Sequence, residues 1–156
     1  MIVLSSILSA FVYQDFKYRA ITWYLFPILF VAAAYYQLLD NTWQNWTMSF
    51  LTNNALWIIQ LLLIKGYHSL RYGKSHQFID YALGKGDVLF ICVMCAAFPP
   101  LHFLLLILFA AVFALLVSLP IIYFNKEKNY PIPFAGFLAM SWMLSLVATE
   151  LNWIPL

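Results

Sequence analysis

The stretch LHFLLLILFAAVFALLVSLPIIYF, residues 101–124, runs without a single Asp, Glu, Lys or Arg. A bilayer core asks for about 20 consecutive apolar residues of a crossing helix, and this stretch supplies them. Its neighbours mark its ends. Pro99-Pro100 precede it, each disfavouring helix at the residue before, and the polar cluster at 125–129 follows. Read outward, the chain repeats the theme: further apolar runs cover 1–14, 21–39, 50–64, 87–98 and a last one from after Pro133 to about Trp153. Asn53-Asn54 interrupts the third run near its start, and 65–86 is the longest polar segment.

The composition agrees with a lipid environment. Of 156 residues, 65% are apolar, 19% aromatic and only 9% charged. A soluble domain carries about a quarter charged residues, so a water-soluble monomer is excluded. Disorder, which needs low hydrophobicity, is excluded as well. A net charge of +2 gives no footprint for nucleic acid. The expectation is a single membrane-embedded domain over 1–156, all-α, a polytopic helical bundle of about six spans.

Six crossings fix sides by parity. Lys17, Arg19, Lys65, Arg71, Lys74, Lys85, Lys126 and Lys128 then all fall on one side. The positive-inside rule makes that side cytoplasmic and places both termini outside it. The first run is short and must borrow length past Asp15 or sit in thinned lipid. It lacks the basic start of a secretory signal, so it reads as a retained span. Trp43 and Trp46 suit an outer aromatic belt, and Tyr67, Tyr72, Phe78 and Tyr81, interleaved with basic residues, suit a segment on the inner membrane surface.

Acidic residues near a bilayer are costly and ask for a reason. Asp40, Glu150 and Glu127 sit at borders or in a loop, and Asp80 lies in the polar segment. Asp15 and Asp87 differ: each adjoins an apolar span on the same side, so they can face each other at one depth. Two plainer readings stand beside that one. Asp87 suits a helix N-terminus, where the macrodipole favours an acid, and Asp15 has Lys17 and Arg19 at hand for an ion pair. Around Asp87 the chain reads Gly84-Lys85-Gly86-Asp87, where flanking glycines let a backbone open beside an extended ligand. Cys92 and Cys95 have CxxC spacing on an apolar helix with no second ligand pair, which favours packing. His68 and His76 near Asp80 favour interfacial solvation over a metal site.

Three segments together resemble the type IV prepilin peptidase family, the GxGD-type aspartic endopeptidases of bacterial membranes. They are Asp15 with Lys17, Arg19 and Ile21; Gly84 to Asp87 followed by Val88-Leu89; and Pro133-Phe134 opening the last span. The resemblance covers essentially the whole chain. It departs from the family pattern at Thr22, where Pro is frequent, at Leu89, where Lys is common, and at Ala135, where Gly is frequent. The N-terminal insert with paired CxxC motifs that larger members carry is missing.

The resemblance implies catalytic Asp15 and Asp87, loop support from Gly84 and Gly86, and a motif or substrate groove at Lys17, Ile21, Pro133 and Phe134. It implies a bacterial inner-membrane enzyme that needs no metal or organic cofactor. Its substrate would be a prepilin-like or pseudopilin-like protein, cut at the cytoplasmic membrane border between a basic leader and an apolar helix. Its other partner is the bilayer. Two carboxylates sharing a site resist double ionisation, so the pair holds one proton: one member activates water while the other hydrogen-bonds the carbonyl. Two other classes compete: an ion- or proton-conducting or transporter subunit using the paired acids, and a structural subunit with ordinary border acids.

Overall fold

The computed structural model describes residues 2–72, 84–125 and 133–150, and among them it holds six helices and no strand. They are α1 (Ile2–Tyr18), α2 (Leu25–Asp40), α3 (Trp43–Tyr72), α4 (Lys85–Met94), α5 (Pro100–Asn125) and α6 (Phe134–Glu150). Each carries one apolar run of the sequence. The protein is an all-α helical membrane bundle. Trp43–Arg71 and Pro100–Pro120 are long and apolar enough to cross a bilayer unaided, while Leu25–Leu39 and Phe134–Thr149 are apolar but shorter. Lys74, His76, Phe78, Asp80, Tyr81, Lys126, Glu127, Lys128 and Trp153 lie outside the described residues.

α6 is the hub, packing most extensively on α1 and then on α5, with α4 against it and α2. Between apolar helices in lipid there is little hydrophobic drive, so close approach and shape decide association. Small buried residues supply that approach: Ala135, Gly136 and Ala139 on α6, Ala110 and Ala114 on α5. Edge-on aromatic contacts fill the rest. Phe11 meets Phe26 and Phe90 at 5.1 Å each, and Trp142 meets Phe98 at 5.1 Å and Phe90 at 6.1 Å. Leu105, Leu108, Val112 and Leu116 of α5 point outward and exposed, as a lipid-facing surface requires.

Three expectations are corrected. First, α3 takes in the polar residues before its apolar run and continues through Lys65 to Tyr72, about 45 Å in all. Thr47, Thr52 and Asn54 bond carbonyls three or four residues back, which satisfies their polar groups without leaving the helix. The basic segment thus begins as a continuation of the span rather than as a separate surface helix. Second, Asn53 does not break the helix; it is fully buried. Third, the run 87–98 is not one helix. α4 stops after 10 residues, about 15 Å, too short to cross.

The ending of α4 explains the buried asparagine. Residues 95–98 are 5% exposed or less, so their carbonyls cannot reach water. Asn53 Nδ2 donates to Cys95 O at 3.0 Å and Phe98 O at 2.8 Å, Trp46 Nε1 to Ala96 O at 3.0 Å, and Gln37 Nε2 to Ala97 O at 2.7 Å. Irregular backbone at membrane depth survives where protein satisfies it, and here three side chains from α2 and α3 do so.

Candidate active site

On α1 the buried positions are Leu4, Leu8, Phe11 and Asp15, at spacings of four, three and four. That is the spacing of one helix face, so the stripe that seats α1 on its neighbours ends in a carboxylate. Asp15 is 8% exposed. α1 runs on through it to Tyr18, and Arg19 closes the helix with φ 54° and its N–H on Asp15 O at 3.1 Å. On α4 the buried Phe90, Ile91 and Met94 likewise share a face with half-buried Asp87 in the first turn. Two apolar stripes each terminate in an acid.

Both acids converge on the first turn of α6. The early N–H groups of a helix have no partner within it, and they form the positive end of its dipole. Ala135 N–H donates to Asp87 Oδ1 at 2.7 Å, and the next amide, Gly136 N–H, donates to Asp15 Oδ2 at 2.6 Å. Consecutive amide nitrogens are close, so the two accepting oxygens are no more than about 9 Å apart. The carboxylates are electrostatic neighbours. Asp87 also takes the N–H of Gly84, the residue preceding its own helix. That contact is the acidic half of a capping box. The site is thus three helix ends, those of α1, α4 and α6, locked by two carboxylates.

The glycines sort by what a methyl group would meet. A Cβ on Gly136 would lie 2.6 and 2.8 Å from ring carbons of Phe16 and 3.0 Å from Asp15 Oδ2. One on Gly84 would lie 2.9 Å from Asp87 Oδ2. One on Gly86 would meet only Ile21 Cδ1, at an ordinary 3.7 Å. Of the two glycines expected to let the backbone open beside Asp87, Gly86 lies inside α4, whereas Gly84, extended at φ −64° and ψ 141°, precedes the helix. Gly136 was not singled out by the sequence, although it stands two residues after Phe134.

Other expected residues fall as follows. Lys17 is exposed; its ammonium donates to the Tyr13 hydroxyl and lies 4.9 and 5.2 Å from the Tyr13 and Tyr18 ring centres. The cation whose charge reaches Asp15 is Arg19. Ile21 is half-buried beside Gly86. Pro133 is buried, its carbonyl taking the Phe137 N–H at 3.2 Å, and Phe134 packs half-buried on the core. Phe16 and Phe137 stack edge-on at 5.2 Å beside Asp15. Cys92 and Cys95 are free thiols in the packed interior.

A family model described as the type IV leader peptidase family matches residues 2–119. The match spans both acids and the glycine motif and ends within α5, before the amides that hold the acids. No curated protein and no solved structure matches the chain.

Proposed function

The chain belongs to the type IV leader peptidase family, and we propose that it is a membrane aspartic endopeptidase with Asp15 and Asp87 as its catalytic pair. The observation that carries the reading is the convergence of these two carboxylates, 72 residues apart in the chain, on adjacent amides of one helix N-terminus. Border acids with a merely solvating role have no need of a shared, half-buried seat. In hydrolysis the ionised member takes a proton from water as that water attacks the peptide carbonyl. The protonated member hydrogen-bonds the carbonyl oxygen and then returns its proton to the leaving amine. As a coupled pair they share these roles, and neither is fixed to one residue. No metal or organic cofactor enters this chemistry.

The substrate we propose is a prepilin-like or pseudopilin-like protein, a basic leader followed by an apolar helix. Asp15 ends the apolar stripe of α1 and Asp87 begins that of α4, and both reach the first turn of α6, which suits a bond at the leader–helix border. The one-sided basic residues support a site at the cytoplasmic face of a bacterial inner membrane, with both termini on the far side.

The test is direct. Purified protein in detergent or bilayer is incubated with a prepilin-like substrate, and a single cut near the leader–helix border is sought by mass spectrometry. Asp15→Asn and Asp87→Asn should each abolish the cut while leaving expression intact. Substantial activity in either variant removes that residue from the pair.

A further inference from the structure

The connector between α1 and α2, residues 19–24, has features that the chemistry of the acids leaves unused. Arg19 at its start is the one non-glycine residue with positive φ among the described residues. An L side chain holds that conformation only where its surroundings impose it. Here it is the left-handed turn that ends α1, with the Arg19 N–H on Asp15 O at 3.1 Å, and the next fixed contact is three residues on. Gln14, the residue before Asp15, accepts two hydrogen bonds on its side-chain oxygen, from Thr22 N–H and from Thr22 Oγ1, each 2.9 Å. Both lone pairs of that oxygen are engaged, so the clamp is directional. Next to Thr22, Ile21 faces Gly86, where an added Cβ would stand 3.7 Å from Ile21 Cδ1, and Gly86 adjoins Asp87.

These contacts form a closed path. From Asp15 it passes to Gln14, across two hydrogen bonds to Thr22, to Ile21, across the narrow space beside Gly86 in which a single added methyl group would touch Ile21, and so to Asp87. We propose that the Gln14–Thr22 clamp braces the acid-bearing ends of α1 and α4 beside the α6 amides that seat them, and that Gln14 and Thr22 are positioning residues for cleavage. The proposal rests on the peptidase reading above. The hairpin of α1 and α2 does not depend on the clamp for its fold. Its turn is already closed by Leu25 N–H on Thr22 O and Phe26 N–H on Trp23 O, and its helices are joined by the Phe11–Phe26 contact. What the clamp adds is the location of Ile21 against the start of α4.

The experiment uses the full chain in lipid nanodiscs with a prepilin-like peptide and compares Gln14→Leu, Thr22→Val and Thr22→Ser. Steady-state kcat and KM, melting temperature, and hydrogen exchange of the amides at 19–24 are measured together. Gln14→Leu removes both bonds and should lower kcat about tenfold or more, as misplacement by a fraction of an ångström to an ångström does. KM should stay within about twofold and exchange at 19–24 should quicken. Thr22→Val keeps the N–H bond and should fall between, while Thr22→Ser keeps both donors and should match the parent. Unchanged exchange in Gln14→Leu would show that no clamp exists. Faster exchange with kcat intact, or a kcat loss matched by loss of folded protein, would overturn the positioning role. If the unaltered protein cuts no such peptide, the peptidase reading fails and the positioning role with it, while the exchange data still decide whether the clamp exists.

Discussion

Gly136→Ala should cripple cleavage while leaving the bundle standing. The added Cβ would lie 2.6 Å and 2.8 Å from the Phe16 ring, closer than carbon atoms approach, and 3.0 Å from Asp15 Oδ2. Phe16 is 42% exposed and can swing outward, at the loss of its edge-on contact with Phe137, about 0.5–1.5 kcal/mol. Against that, Gly to Ala inside a helix gains roughly 0.8–1 kcal/mol, and less near an end. The two nearly cancel, so the net change in stability should stay within about 1 kcal/mol. The carboxylate has no such freedom. It is held to the Gly136 N–H at 2.6 Å, so relief by a few tenths of an ångström displaces the reacting oxygen itself. A displacement approaching 1 Å costs about 100-fold in rate, and a tenfold to hundredfold loss of kcat is the expectation here. Initial rates on a prepilin-like peptide beside a thermal melt decide the matter. Full activity, or an activity loss fully explained by a lower melting temperature, would refute the view that this amide and carboxylate set the site.

Gly84→Ala and Gly86→Ala should separate: the first puts a Cβ 2.9 Å from Asp87 Oδ2 and should lose most of the cleavage rate, while the second meets only Ile21 at 3.7 Å and should keep far more of it at an equal or higher melting temperature. Equal losses in both would sink the distinction. Asn53→Leu strips the donors from Cys95 O and Phe98 O, and with about 1–3 kcal/mol for each buried unpaired group it should destabilise the protein by roughly 2–5 kcal/mol, read from the melt or from yield after extraction. A melt within a degree of the parent would show that those carbonyls find other partners. Topology reporters fused after Leu156 should be active outside the cytoplasm, and activity confined to the cytosol would overturn the orientation.

The helices were legible because lipid enforces a long apolar run wherever a helix crosses, and five of the six runs became one helix each, while the run 87–98 is helical only to Met94. The acids were legible from their place at run ends. The spacing 4, 8, 11, 15 would have said more, since it already puts Asp15 on the buried face of α1. Asn53 was misread for a physical reason. Asparagine is a poor helix former, so beside Asn54 it looks like a break, and its true partners stand 42 and 45 residues away, where local pattern carries no signal. Trp46, suited to the interface by its amphipathic ring, also donates its indole N–H to Ala96 O, a partner that local pattern does not reveal. The glycine motif gave the position of Asp87 but not which glycine is constrained. That depends on where α4 begins, and a four-residue pattern cannot fix it.

The shortness of α4 bears on how the acids are held. A helix of 10 residues is marginal by its own hydrogen bonds, so this one must be held in place from outside. It is gripped at both ends by unlike means. At its start Asp87 accepts the Ala135 N–H of α6, and past its finish Gln37, Trp46 and Asn53 donate to the free carbonyls of residues 95–98. Its sides add Phe90 against Phe11 and Trp142. A continuous span would have placed Asp87 by its own length and tilt, which a bilayer sets loosely. A short helix seated by directed hydrogen bonds at each end is placed by protein alone. Asp15 reaches the same first turn of α6, so both acids take their coordinates from one rigid element rather than from lipid thickness. The catalytic pair we propose therefore does not need its first and fourth helices to span the membrane in full, and the two shortest apolar runs of the chain are the ones that carry the acids.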